Sequence, residues 1–387
     1  MGPLAGIKVL EMANFISGPY AATLLGDLGA TVVKVELPGS GDPYRAGGGV
    51  APQFAAYNRN KQSITIDVRT EGGRDVYKRL ASGMDVIVDN FRPGTLDKLG
   101  IGYEALSRTN PRLVYCAVSG MGSSGPYRDR PSYDAIAQAL SGLWSQFTNM
   151  DDPQAVGPAS SDQLTGIHAA LGIAGALVAR GVTGQGQKIE VSMLSASLSF
   201  LTGAVAQYRL GDHLPDRYER SHRSQSYAFT DKEGLPFAIH LSTPTKFWQA
   251  LTVVAGKSEL LDDPKFQTYP ARVGHYDELR ALLQDVFRSA SRAHWLALLQ
   301  QHDVPSAPIN NVAEALDDPQ VKHLGLEQPF GQGDRAASLL AYPVEFGGTP
   351  IEPNLPPPHL GEHTGAILSE LGYSEDDIQR LHAEGAI

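Results

Sequence analysis

Residues 7–37 read Ile-Lys-Val-Leu-Glu-Met-Ala-Asn-Phe-Ile-Ser-Gly-Pro-Tyr-Ala-Ala-Thr-Leu-Leu-Gly-Asp-Leu-Gly-Ala-Thr-Val-Val-Lys-Val-Glu-Leu. Two runs rich in branched apolar residues, Ile7–Met12 and Thr31–Leu37, flank the helical segment Gly18–Ala30. Pro19 suits the first turn of that helix and Gly29 its end. Strand, helix and strand in this order form a βαβ unit, which sets the two strands parallel in one sheet. The pattern recurs: runs at 85–90, 112–119 and 188–193 read as strands, and helices are expected near 71–82, 132–147 and 162–181. The fold class is therefore α/β, with a doubly wound parallel sheet. No Gly-x-Gly-x-x-Gly follows the first strand, which argues against a dinucleotide site of that type.

The composition changes after about residue 212, where Asp216–Gln225 is polar and charged. We expect a large domain over 1–212, a linker and small α/β domain over 213–325, and a return to the large domain over 326–387. The small domain is signalled by a strand at 236–241 and helices near 244–256, 276–290 and 292–302. The pairs Asp262-Asp263 and Asp317-Asp318, each before a proline, read as turns.

A chain of 387 residues with 42% hydrophobic content builds more than one core. Its formal net charge of −10 argues against nucleic acid or an anionic membrane as its main partner. The single cysteine, Cys116, lies in an apolar run and reads as a buried strand residue. No apolar run approaches about 18 residues, so no segment is expected to span a membrane. The N-terminus carries no leader pattern, and a cytoplasmic location is expected. Eleven histidines are scattered without ligand spacing, so no metal site is expected.

Two stretches carry the chemistry. Asp89-Asn-Phe-Arg-Pro-Gly-Thr-Leu-Asp-Lys-Leu-Gly100 looks like the end of a buried parallel strand turning into a helix. Asn90 and Phe91 then sit at a strand's carboxyl end, where doubly wound sheets open a crevice, and Arg45, Lys61, Arg92 and Lys98 are the cations best placed for phosphates. The second stretch, Ser160-Ser-Asp162, opens an apolar helix, so Asp162 falls at a helix N-terminus whose dipole favours an ionised carboxylate. A carboxylate nucleophile forms an acyl anhydride and then a thioester of its own, which is what moving a thiol carrier between acids requires.

Together with Gly18-Pro19, Lys34-Val-Glu36, Asn58-Arg-Asn-Lys61, Gly125-Pro126, Thr183-Gly-Gln-Gly-Gln187 and Leu360-Gly-Glu-His-Thr364, these residues resemble the class III coenzyme A transferases over essentially the whole chain. That group includes formyl-CoA transferase and carnitine-CoA transferases. The resemblance implies a large Rossmann-like domain assembled from both chain ends, a small inserted domain, and a homodimer of interlocked rings. It implies an acyl-CoA donor and a small carboxylic acid acceptor as substrates, with coenzyme A carried as substrate and no cofactor bound permanently. By the same resemblance Asp162 is the nucleophile, Tyr133 and Asp134 lie near the reacting carbonyl, and Asn14, Phe15, Ile16 and Ser17 line the reacting end.

Two alternatives stay open. The related acyl-CoA racemases and epimerases carry a histidine base where this chain has Tyr133, a poor base at neutral pH. A catalytically silent CoA-binding protein would have no need of Asp162. The glycine-rich flap of formyl-CoA transferase has no counterpart between Gln225 and Phe237, which argues against formyl or oxalyl substrates. Arg220, His222 and Arg223 suggest succinyl-CoA as donor and a dicarboxylate as acceptor.

Overall fold

The computed structural model describes residues 2–46, 49–243, 245–332, 337–351 and 355–387. The chain forms two compact units, one of Met1–Ala206 with Gly325–Ile387 and one of Gln207–Leu324.

The larger unit is built on six strands, β1 (Lys8–Met12), β2 (Thr31–Glu36), β3 (Lys61–Thr65), β4 (Val86–Asp89), β5 (Val114–Ser119) and β6 (Gln187–Ser192). Their order is β3-β2-β1-β4-β5-β6 and every pairing is parallel. The strand order reverses between β1 and β4, so a crevice opens above their carboxyl ends. Val9, Leu10, Val86, Ile87, Val88 and Val114 are fully buried, because helices cover both faces. One face packs against α1 (Ser17–Asp27) and α4 (Ser160–Thr183), the other against α2 (Glu71–Ser82). The chain's end adds to the second face through Ile367, Leu368 and Leu381. It is tied to β3 where the Thr65 N–H donates to Thr364 Oγ1 at 3.0 Å and the Gly361 N–H to Ser63 Oγ at 2.9 Å. Cys116 is fully buried in β5, where burial pushes its thiol pKa up.

Some elements differ from the sequence expectation. Strand β3 escaped it because its inward-facing residues include Lys61 and Ser63, so no apolar alternation announces it. The helix expected over 132–147 is instead α3 (Asp134–Leu140) and a separate 3-10 turn, Leu143–Gln146. Gly142, at φ +82°, breaks the run between them. Finally, α4 is 24 residues long and apolar enough by length and composition to cross a membrane, contrary to expectation. It lies against α1 and the sheet, burying Thr165, Gly166, Ala169, Ile173 and Ala176.

The smaller unit has a three-stranded antiparallel sheet, β7 (Ser226–Thr230), β8 (Pro236–His240) and β9 (Ser306–Pro308). Helices Lys246–Val254, Tyr276–Phe287 and Arg292–Gln301 cover one side of it, around an aromatic core of Tyr227, Phe229, Phe237, Trp248, Phe287 and Trp295.

Beneath the carboxyl ends of β1 and β2, reached by Lys61 from the start of β3, lies a buried ionic cluster. Lys34 Nζ meets Glu11 Oε1 at 2.6 Å and Asp42 Oδ2 at 3.0 Å, and Lys61 Nζ meets Glu11 Oε2 at 2.6 Å. Lys34 also donates to the Ala13 carbonyl, and Lys61 to those of Pro19 and Tyr57. Beside them Glu36 holds Arg45 through two hydrogen bonds of 2.6 and 2.7 Å. The phosphate-binding roles expected of Arg45 and Lys61 do not fit this arrangement. Both side chains are fully buried and their donors are committed to protein oxygens. Burial, with Lys34 nearby, brings the Lys61 pKa down to about 8 even against the attraction of Glu11.

Glu11 is the anion between two ammonium groups, so removing its charge takes the carboxylate from Lys61 and leaves Lys34 with Asp42. Glu11→Gln is expected to lower the unfolding free energy by about 3–5 kcal/mol in urea titration. A loss below about 1 kcal/mol would mean that the backbone carbonyls suffice for both lysines.

Candidate active site

The loop joining β1 to α1 forms one wall of the crevice. Its first residue is clasped across the switch point: the Asn14 N–H donates to Asn90 Oδ1 at 2.9 Å, and Asn90 Nδ2 donates to the Asn14 carbonyl at 2.7 Å. Both polar atoms of the Asn90 side chain thus serve the loop at the edge of the crevice. Phe15 follows at φ +65°, a conformation that costs a non-glycine residue energy and persists only where its surroundings enforce it. Its N–H points to Asp42 Oδ1 at 3.4 Å, and its ring packs edge-on against Tyr44 and Tyr133, with centroids 5.4 and 6.0 Å away.

Asp162 stands in the first turn of α4 and faces this loop. Gly166, one turn further on, allows the close approach: a Cβ there would lie 3.1 Å from the Ser17 carbonyl and 2.9 Å from the Tyr20 ring. Ser17, the first residue of α1, borders the same cavity as Asp162. From the other side, the Asp162 N–H donates to Asp134 Oδ1 at 3.1 Å, and Asp134 Oδ2 accepts from Gln138 Nε2 at 2.6 Å. Asp134 therefore caps α4 through the backbone of Asp162 while placing a second negative charge beside its carboxylate.

The pKa of Asp162 is pushed up to about 6, first by burial and then by Asp134, with Ser17 opposing both. This corrects the expectation from the helix N-terminus. Desolvation and a like charge outweigh the dipole, leaving a carboxylate that is ionised at neutral pH yet destabilised there.

Asn14, Phe15, Ser17, Phe91, Arg92 and Tyr133 line one cavity of about 290 Å³ with Asp162. Asn90 also borders it, whereas Ile16 is buried outside the lining and Asp134 lies behind Asp162. Lys98 is exposed on a short helical turn, Thr95–Lys98, away from this cavity. Sequence reasoning missed Arg128 and Arg130, which join Arg92 on the wall. The signal was present in Arg128-Asp-Arg-Pro131, directly after the Gly125-Pro126 turn. Three guanidinium groups and one carboxylate line the space, a balance suited to an anionic ligand. A smaller cavity of about 180 Å³ adjoins, sharing Phe91, Arg92 and Arg128 and reaching Asp89, Lys188 and Glu190.

The smaller unit has its own cavity of about 890 Å³, floored by Ala228, Ala238 and Ala307 in register across the three strands. His222 lines it, stacked on Tyr276 at 4.1 Å. Arg223 pairs with Glu219 at 3.5 Å, and Arg220 is exposed and outside the lining. Among the described residues no group of three or more His, Cys, Asp or Glu is arranged to hold a metal ion.

The crevice therefore offers an anionic ligand three guanidinium groups beside one half-buried carboxylate. The chain belongs to CoA-transferase family III, whose model matches residues 4–364, and it is a CoA-transferase. It is 34% identical to the succinyl-CoA:glutarate CoA-transferase of Mus musculus, over all of this chain and 91% of that protein. It is 36% identical to the acetyl-CoA:oxalate CoA-transferase of Acetobacter aceti, over 97% of each. A CaiB/BaiF family protein from Brucella suis superposes with a TM-score of 0.86 at 35% identity, covering 96% of this chain and 99% of that one.

Because the Asp162 pKa is raised on folding, ionising it opposes the fold. The cost is absent below the unfolded carboxylate pKa and is complete above about pH 6. Asp162→Asn is therefore expected to stabilise the protein at pH 7.5 by about 1–3 kcal/mol in urea titration, with the gain vanishing near pH 4. An equal or lower stability at pH 7.5 would contradict the assigned electrostatics.

Proposed function

We propose that this chain moves coenzyme A from succinyl-CoA to a small dicarboxylate through a covalent intermediate on Asp162. The observation that carries the reading is the half-buried Asp162 carboxylate, held beside Asp134 and opening into the arginine-lined cavity. An Asp162 oxygen attacks the donor thioester carbonyl; the C–S bond breaks and a mixed anhydride and CoA thiolate result. The thiolate then attacks the aspartyl carbonyl of the anhydride, giving an aspartyl thioester and releasing the donor acid. The acceptor carboxylate attacks that thioester, forming a second anhydride and freeing the thiolate again. Attack of the thiolate on the acceptor's carbonyl releases acceptor-CoA and returns Asp162 as a carboxylate. No proton is gained or lost overall.

Arg92, Arg128 and Arg130 offset the charge of the substrate carboxylates and of the CoA phosphates. Tyr133 and Phe15 bound the space beside the reacting centre. Support for a succinyl donor and dicarboxylate acceptor comes from this cationic lining and from the substrates in the relatives' names.

We also infer a homodimer, interlocked as in the class III transferases. Its support is the broad apolar surface of the larger unit, where Leu171, Val178 and Val182 on α4 and Phe147, Met150 and Phe200 are exposed. Such a patch marks an interface rather than a solvated surface.

With succinyl-CoA and glutarate, glutaryl-CoA and succinate are the expected products, and hydroxylamine added during turnover is expected to modify the peptide containing Asp162. Asp162→Asn should lower turnover by about a thousandfold or more while the protein stays folded. Undiminished turnover in this variant would remove Asp162 as nucleophile, while transfer to a monocarboxylate in preference to glutarate would overturn the acceptor class.

Light scattering is expected to give twice the chain mass of 41.4 kDa, unchanged on dilution to nanomolar protein. A monomer at micromolar concentration would sink the dimer.

A further inference from the structure

We infer that Gln138 is a positioning residue for the transfer reaction: its buried side-chain amide holds Asp134 in place as a cap on the first turn of α4 and so fixes where the Asp162 carboxylate stands in the crevice. The inference rests on Asp162 being the nucleophile, as proposed above.

The helix that carries Asp162 has no cap of its own. Its N-cap residue is Ala159, which offers no side-chain acceptor, and alanine is among the poorest residues at that position. The acceptor comes instead from another helix. Asp134, the first residue of α3, takes the N–H of Asp162 on its Oδ1 at 3.1 Å, where an ordinary N-cap side chain would reach the same third-residue N–H from within the helix. The backbone of the reacting residue is thereby tied to α3 rather than to its own entry turn.

Gln138 completes the tie. It lies one turn after Asp134 on α3, at the four-residue spacing that lets the two side chains meet. Both N–H groups of its amide have an acceptor: Nε2 donates to Asp134 Oδ2 at 2.6 Å and to the Pro158 carbonyl at 3.2 Å. The Pro158 carbonyl also accepts from the Ser160 N–H at 2.7 Å, so it belongs to the turn that starts α4. One amide therefore joins the capping carboxylate to the chain entering the capped helix, closing a ring through residues 134, 138, 158 and 162. Gln138 is only 2% exposed, so water cannot easily take over either bond. Tyr133, the residue before Asp134, packs on Phe15 across the cavity, and the same brace fixes that wall.

The brace acts on both position and charge. A nucleophile displaced by about 1 Å can lose a hundredfold in rate, so the tie to α3 bears directly on attack. It also keeps the charge of Asp134 beside Asp162, which helps to raise the Asp162 pKa. The other groups near the two carboxylates are Tyr44 and Tyr57, which stay neutral, and Arg92, Arg128 and Arg130 on the cavity wall.

The test compares the wild-type chain with Gln138→Leu and Gln138→Glu. It reads amide hydrogen exchange by mass spectrometry in the peptide that opens α4, together with steady-state kinetics for succinyl-CoA and glutarate. Gln138→Leu keeps the bulk and removes the donors. Protection of the first turn of α4 is expected to fall about tenfold and kcat about tenfold or more, with KM for succinyl-CoA within about threefold of wild type. The acid limb of kcat/KM, near pH 6 in the wild type, should move down, because a loosened Asp134 no longer presses its charge on Asp162. Gln138→Glu can donate only while protonated. Its first-turn protection and kcat are expected to stay close to wild type at pH 5.5 and to be lost by pH 8, where a third carboxylate joins Asp134 and Asp162. If Gln138→Leu fails to fold, this variant alone decides, since pH switches the brace within one protein. A merely structural role would lower thermal stability and leave both pH dependences as in the wild type. Unchanged first-turn protection overturns the inference whatever the activity, and so does lost protection with kcat intact. If protection and kcat fall together while Asp162→Asn retains full turnover, the brace stands and only the nucleophile assignment fails.

Discussion

The site depends on four charges that never meet solvent. Glu11, Lys34, Asp42 and Lys61 neutralise one another beneath the carboxyl ends of β1 and β2, and the loop that follows β1 is fastened to them. Such clusters add little net stability, since desolvating each ion costs about as much as pairing recovers. What they supply here is position. The ammonium of Lys34 reaches the Ala13 carbonyl, the carboxylate of Asp42 meets the Phe15 N–H, and the ammonium of Lys61 reaches the Pro19 carbonyl just inside α1. An apolar core of equal volume has no directional bonds with which to hold Phe15 at φ +65°.

That fixed loop explains the electrostatic compromise at Asp162. A nucleophilic carboxylate has to be ionised yet poorly solvated, because a well-solvated carboxylate is a weak nucleophile. Burial and Asp134 raise its pKa to about 6, whereas Ser17 at the N-terminus of α1 restrains the rise. The two helix N-termini and the second carboxylate leave the group charged at neutral pH but at a cost to the fold. Stability surrendered at the reacting group is a frequent feature of active sites.

The doubly wound sheet was legible because β1, β2, β4 and β5 are rich in branched apolar residues, whereas Asp162, an ordinary helix-opening acid by its spacing, was singled out by the resemblance to the class III transferases. The rest was hidden for identifiable reasons. Strand β3 carries Lys61 and Ser63 on buried positions, so the ion pairs that define it erased its periodicity. Arg45 and Lys61 read as free cations because a sequence does not show that Glu36 and Glu11 lie across the sheet from them. Asn90 was placed at the crevice, but its clasp on the Asn14 backbone, 76 positions away, has no mark in the sequence. The arginines at 128 and 130 sit in a stretch without secondary structure, where no period marks a side chain as facing inward.

The central claim, that Asp162 becomes covalently bound to the carried group, is tested most directly by following oxygen. If the acceptor acid attacks an aspartyl thioester, one of its carboxylate oxygens remains on Asp162 when acceptor-CoA departs. Turnover with glutarate labelled in both carboxylates with oxygen-18, followed by digestion and mass spectrometry, should therefore place the heavy isotope in the peptide containing Asp162. Efficient turnover that leaves this peptide unlabelled would contradict the account.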